Sequence, residues 1–434
     1  MGAVSVLLKL AAAAVVVSIG VRVFLSRKQL PPATEGFFLP QYRPVAELFR
    51  KFVVDGTERG GSFAVYHKGE PLVDLWGGYA DPDSQRPWRE DTVTMVWSCT
   101  KGASALAIAV LVDRGLLDYK AEVWKYWPEF AQNSKSNITV EMVMSHSAGL
   151  LSLGGQSITL EEYKNDWKKV EQLMAAAPPD FPPGRRVAYH AFTLAMYADA
   201  LVRRVDPQHR NLSRFFQEEI AIPFGIDFHI GLPLHQYYRS ARQFFVPGWS
   251  SLALLFDSEH RAFAWLMMTQ PDGLFSKAVK VIRRLQPEME IVNDPIYMEI
   301  GMGSIFGFAA ARAPAKMYSI LANGGKIGDK KLLSKPLADS LSVPLTQSLP
   351  QEIEALNLVF SRGFQVNKNH RGDLMFGHDG YGGQQSRADP KNNLGIAYTT
   401  NFHWAKNLRP VDHYLELERV FYECFDEDKG KTVR

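Results

Sequence analysis

The placement of strand patterns constrains the fold of this 434-residue chain more than any other feature. Ser62–His67 and Pro71–Tyr79 alternate and turn around Lys68-Gly69-Glu70, the signature of a hairpin. Comparable patterns return only near the other end, at Asp373–Phe376, Gln384–Ala388 and Leu394–Thr400, separated by Gly, Asp, Pro and Asn. Between these regions helical periodicity dominates, most clearly at Ser98–Arg114, Leu160–Ala177 and Thr193–Val205. An amphipathic stretch covers Val45–Val54, and Pro410–Phe425 places Val411, Leu415, Val420, Phe421 and Cys424 near a 3.6-residue period. Strands at both ends around a helical middle predict an α/β (α+β) fold. One sheet is built from N- and C-terminal segments, with a mostly helical lobe, residues 115–330, inserted between them.

The N-terminus reads differently. Val4–Leu25 is 22 residues long and interrupted only by Lys9 and Arg22. As a helix it would span about 33 Å, enough for a hydrocarbon core of about 30 Å. The favoured expectation is a membrane protein with a single-pass N-terminal anchor in residues 1–30, the membrane being a partner through that helix. A cleaved signal peptide and a mitochondrial targeting segment are the competing readings. The charges flanking the span point toward a cytosol-facing body, whereas Asn137-Ile138-Thr139 and Asn211-Leu212-Ser213 fit the glycosylation pattern of the secretory side. Pro31-Pro32 reads as a linker, with the folded region starting near Gln41 and the remaining domain covering 31–434.

Composition excludes several functions. With 49 basic and 46 acidic residues, net charge is +3, and no dense basic stripe marks a nucleic-acid binder. Two cysteines, Cys99 and Cys424, rule out a disulfide framework. The 11 histidines form neither His-x-His nor HExxH, so no metal site and no cofactor is expected.

Chemistry is suggested by Ser98-Cys99-Thr100-Lys101, which opens the helical pattern GASALAIAVLVDRG. Residues i and i+3 share a helix face, so the Lys101 amine can reach the Ser98 hydroxyl. A serine hydroxyl becomes a nucleophile when a neighbour takes its proton, and a lysine kept neutral by burial can do so. The helix start adds partial positive charge where an oxyanion would form. Read alone, the same spacing also describes an N-cap serine beside a solvated lysine.

Four ordered motifs favour the catalytic reading. Gly78-Tyr79-Ala80-Asp81, Arg89-Glu90-Asp91-Thr92 and Trp97-Ser98-Cys99-Thr100-Lys101-Gly102 resemble the start of class C β-lactamase-like serine hydrolases. The resemblance extends to their esterase branch and to eukaryotic β-lactamase domain-containing proteins. Met142–Leu150 is similar to the "LLSHTSGL" segment of that family, Pro183-Gly184 with Tyr189-His190-Ala191 to its second motif, and Phe376–Gly383 to its third, followed by Tyr398–Asn401. The resemblance implies a serine β-lactamase/penicillin-binding-protein-like antiparallel sheet. It makes Ser98 the nucleophile of an acyl-enzyme, with Lys101 and Tyr189 sharing the proton work and either one as base. It also implies an oxyanion hole from the N–H groups of Ser98 and Tyr381, with His378 and Gly380 at the substrate edge. His146, before Gly149, reads as structural.

Two departures bear on substrate. Where penicillin-binding enzymes carry lysine before Thr-Gly, this chain has His378-Asp379-Gly380, and where the second motif ends in Asn it has Ala191. A fixed cation and an amide are lost, which weakens recognition of β-lactams and D-alanyl peptides without touching the nucleophile. The expectation is a membrane-anchored serine esterase acting on a small-molecule ester or acyl substrate. The alternatives are a peptidase or amidase of the same fold and a catalytically silent scaffold. The absence of GxSxG removes the α/β-hydrolase reading. Leu232–Phe256, with Tyr237, Tyr238, Phe244, Phe245 and Trp249, is expected to roof the cleft.

Overall fold

The computed structural model describes residues 31–245, 269–270, 272–283, 285, 289–351, 358–403 and 412–432. The main sheet has eight strands, seven in one continuous series: β1 (Thr34–Phe38), β2 (Gly60–His67), β3 (Glu70–Asp81), β4 (Gln365–Lys368), β5 (Leu374–Gly380), β6 (Gln384–Asp389) and β7 (Leu394–Thr400), with the two residues Arg86–Pro87 paired to the end of β3. Their order is β1-β3-β2-β7-β6-β5-β4, with neighbouring strands antiparallel throughout. The first hairpin therefore pairs directly with the last strand, Phe63 facing Tyr398 and Val65 facing Ile396. This is the mixed α/β fold that the two-ended strand pattern predicts.

Five helices frame the sheet and the site: α1 (Arg43–Val54), α2 (Thr100–Asp113), α3 (Thr193–Val205), α4 (Arg312–Ala322) and α5 (His413–Thr432). Alternation along the strands sorts their faces. Phe63, Val65, Val73, Leu75, Ile396 and Tyr398 pack with Phe49 of α1 and with Leu417 and Phe421 of α5. On the opposite face the small Ala64 and Ala397 meet Ala311 and Ala315 at the start of α4. That helix sits low because β7 has no side chain at Gly395, where a β-carbon would lie 1.9 Å from the Ala315 carbonyl oxygen. Helix α2 is buried from Thr100 to Leu111. Its apolar residues run all round the helix, so it forms the axis of the larger core, packed against α3.

Several expectations need correction. The stretch read as a linker contains edge strand β1, whose three middle residues are exposed, so backbone pairing with β3 rather than a buried face holds it. Strand β4, QVNK, has a single apolar residue and left no periodicity to detect. The helical middle also holds a three-stranded sheet of Thr94–Met95, Gly307–Ala309 and Phe228–Ile230.

The membrane localisation and membrane partner are also corrected. Among the described residues, no helix is long and apolar enough to cross a membrane. The 20-residue α5 carries Glu416, Glu418, Arg419, Glu423 and Asp426. The apolar α2 has 14 residues, a length of about 21 Å against a core of about 30 Å. The run Val4–Leu25 lies outside the described residues. Of the expected roof, Tyr237 and Tyr238 are exposed, and Phe244–Phe245 pairs in parallel with Phe402–His403. Residues 246–256 of that stretch, Trp249 among them, lie outside the described residues.

Candidate active site

Ser98 occupies a 3-10 turn, Trp97–Cys99, that runs into α2. The turn is held from both sides. Trp97 takes a left-handed backbone with φ of 48°. The Thr100 hydroxyl donates to the Trp97 carbonyl at 2.5 Å and accepts the Gly307 N–H at 2.8 Å, while Cys99 Sγ donates to the His378 carbonyl at 3.0 Å. The turn is thus fastened to the lobe through one neighbour and to β5 through another. A residue held in a sparsely populated backbone region needs such surroundings. Ser98 itself is only half-buried, so its hydroxyl remains reachable.

Lys101, in the first turn of α2, is fully buried. Its Nζ donates to Ser98 Oγ at 3.2 Å and to the Ser304 carbonyl at 3.0 Å. Burial pulls its pKa down to about 7, because an ammonium without water loses most of its solvation. Tyr189 reaches the same point from the loop before α3, anchored by the Ala188 N–H bond to the His146 carbonyl at 3.2 Å. Its hydroxyl lies near enough to Ser98 to interact with it, and its ring centroid lies 5.0 Å from Lys101 Nζ. Burial pushes the phenol pKa up, partly opposed by the neighbouring Ser98. Ser98, Lys101 and Tyr189, separated by up to 91 positions in sequence, meet at one hydroxyl.

The third motif lies alongside. Gly380 ends β5 so close to the nucleophile turn that a β-carbon would come within 2.4 Å of the Val96 carbonyl oxygen. Tyr381 follows, 51% exposed, its ring 5.3 Å from that of Trp97. His378 is placed differently from a substrate-contacting residue. It is fully buried, Nδ1 lies 2.6 Å from the Asp379 carbonyl oxygen, and its ring is 6.0 Å from Tyr189. His146 is buried too, accepting the His190 N–H on Nδ1 at 2.9 Å.

Sequence reasoning missed Ser304, whose carbonyl accepts a hydrogen bond from Lys101 Nζ. Its surroundings, Gly301-Met302-Gly303-Ser304, were a visible signal of close backbone approach. It also missed the support behind Trp97, whose indole donates to His403 Nε2 at 3.3 Å. No pattern marks such a contact in advance. Among the described residues, no group of three or more His, Cys, Asp or Glu could hold a metal ion.

A buried amine near neutrality, bonded to a reachable serine at a helix start, is the equipment of acyl transfer, and the protein is a serine hydrolase. It belongs to the Beta-lactamase family, whose model matches residues 45–419. It is 32% identical over 365 residues to the Esterase/beta-lactamase LipL of Mycobacterium tuberculosis, covering 83% of this chain and 81% of that one. A family VIII carboxylesterase superposes with a TM-score of 0.75 at 32% identity, covering 90% of this chain and all (100%) of the other. A penicillin-binding protein homologue from Caulobacter crescentus gives a TM-score of 0.74 at 29% identity, covering 90% and 100%. The penicillin-binding-protein-like fold expected from the motifs is therefore the observed one.

Proposed function

We propose that this serine hydrolase is an esterase working through an acyl-enzyme on Ser98. One observation carries the reading: the fully buried Lys101 amine lies 3.2 Å from Ser98 Oγ. With its pKa near 7 about half of the lysine is free to accept a proton at neutral pH, whereas the phenol of Tyr189 stays protonated. Lys101 takes the Ser98 proton as Oγ attacks the ester carbonyl. The N–H groups of Ser98 and Tyr381 receive the developing oxyanion. Collapse breaks the bond to the alkoxide, which takes a proton from the Tyr189 hydroxyl, and Lys101 returns one to Tyr189. Water then repeats the sequence in reverse and frees the acid. Lys101 and Tyr189 titrate as one unit in this scheme.

The ester preference rests on the departures from the lactamase pattern together with two relatives named as esterases. With His378 buried and held neutral, the third motif offers no cation for a substrate carboxylate. The four ordered motifs support a place in the class C-like esterase branch that includes eukaryotic β-lactamase domain-containing proteins. The assembled Ser98, Lys101 and Tyr189 argue against a silent scaffold.

A fluorophosphonate probe on the folded protein tests the nucleophile: labelling is expected, and Ser98→Ala should abolish it. A panel of p-nitrophenyl esters run beside nitrocefin tests the substrate class. Ester turnover with little nitrocefin cleavage is expected; absent ester turnover would overturn the esterase assignment, and efficient nitrocefin cleavage would overturn the reading of the two departures from the lactamase pattern.

A further inference from the structure

We propose that His146 and His378 are positioning residues for Tyr189, joined to each other by a buried water bridge. The proposal rests on the reading of Ser98 and Tyr189 as the reacting pair. Both imidazoles are fully buried. His146 Nδ1 accepts the backbone N–H of His190, so the proton of that ring sits on Nε2. His378 has the opposite tautomer. Its Nδ1 faces a carbonyl oxygen, which can only accept, so the proton sits on Nδ1 and Nε2 carries a bare lone pair.

Neither Nε2 has a partner among the described residues. One is a donor and the other an acceptor, and unmatched polar atoms this deep are rare in folded proteins. The two rings flank the same phenol, with centroids 4.9 Å and 6.0 Å from that of Tyr189. Phe360 at 4.2 Å and His190 at 5.3 Å close other sides of His146. A water accepting from His146 Nε2–H and donating to His378 Nε2 completes both, and two polar partners suffice to hold a buried water. Burial keeps both imidazoles well below their ordinary range, helped at His146 by His190, His378 and Lys101 and at His378 by Lys101 and Arg387 against the Asp379 carbonyl, so the neutral tautomers persist. The left-handed backbone at His146, φ 60°, is strain expected where a side chain must be aimed.

Two measurements on the full chain test this. Nitrogen NMR of 15N-histidine-labelled protein at pH 7 should show His146 protonated on Nε2 and His378 on Nδ1, both neutral. The reverse tautomer at either ring, or an imidazolium, overturns the proposal. On a p-nitrophenyl ester, His146→Phe and His378→Phe should each lower kcat about tenfold with KM nearly unchanged. The double variant should be no worse than the weaker single, because removing either end of a shared bridge already breaks it. Additive losses, or losses carried by KM, overturn it. If a variant fails to fold, the tautomers of the wild-type protein decide. Failure of the esterase reading would appear separately, as retained probe labelling in Ser98→Ala.

Discussion

At the residue scale the protein places a lysine where lysines are costly. An ammonium moved out of water loses solvation that a single serine and a single carbonyl restore only in part. Function explains the choice, since the same desolvation that lowers the pKa to about 7 makes Lys101 a competent base. The sign of the linkage follows. An unfolded lysine titrates near 10.4, so from about pH 7 upward to that value the unfolded chain binds the extra proton. Stability from this group therefore rises with pH across that window and is lowest below it. Lys101→Met should lower kcat/KM by about 10²–10⁴-fold, while its stability relative to wild type is more favourable at pH 6.5 than at pH 9.5. Urea titrations at the two pH values check this, and equal differences would mean the amine is not neutralised by burial. The same pKa predicts that kcat/KM on a neutral ester rises with pH through about 7. The serine-lysine pair was legible in sequence because its partners sit three residues apart on one helix. Tyr189 was legible only through family resemblance, since nothing local distinguishes it from an aromatic side chain under a proline-rich loop.

At the element scale, close approach matters more than propensity. Helix α4 lies against β7 at Gly395, leaving no room for a side chain between the strand and the Ala315 carbonyl. Gly395→Val should destabilise the protein by about 1–3 kcal/mol or more, read as a lower urea midpoint. Because the contact lies away from Ser98, kcat of the folded fraction should stay close to wild type. The elements that sequence patterning found were the alternating hairpin β2 and β3, the turn-bounded β5, β6 and β7, and long periodic or apolar runs such as α2. Those it missed, β1 and β4, are outer strands of the sheet. Their backbone pairing is decided by a neighbour and leaves little mark on their own residues.

At the scale of the whole molecule, the chain closes on itself. Helix α5 covers the sheet face opposite α4 and buries Tyr414, Leu417, Phe421, Tyr422 and Phe425. At about 1.5–3 kcal/mol for each buried apolar side chain, these five contribute on the order of 10 kcal/mol, comparable with the 5–15 kcal/mol of a whole domain. Ending the chain at residue 411 should therefore give aggregated or unfolded protein, checked by circular dichroism and size-exclusion chromatography. A folded, active product would show that α5 is dispensable. The sequence by itself determined the N-terminal hairpin, the strands β5 to β7 and the core helices, because period and turn residues are local properties. It also determined the Ser98–Lys101 spacing, because three residues of helix fix it. The tertiary structure alone decided that Lys101 is dry enough to lose its proton, that His378 is buried beside Tyr189 instead of lining open space, and that Ser304 accepts from the amine. Desolvation and orientation depend on everything packed around a side chain, and most of those neighbours lie far away along the chain.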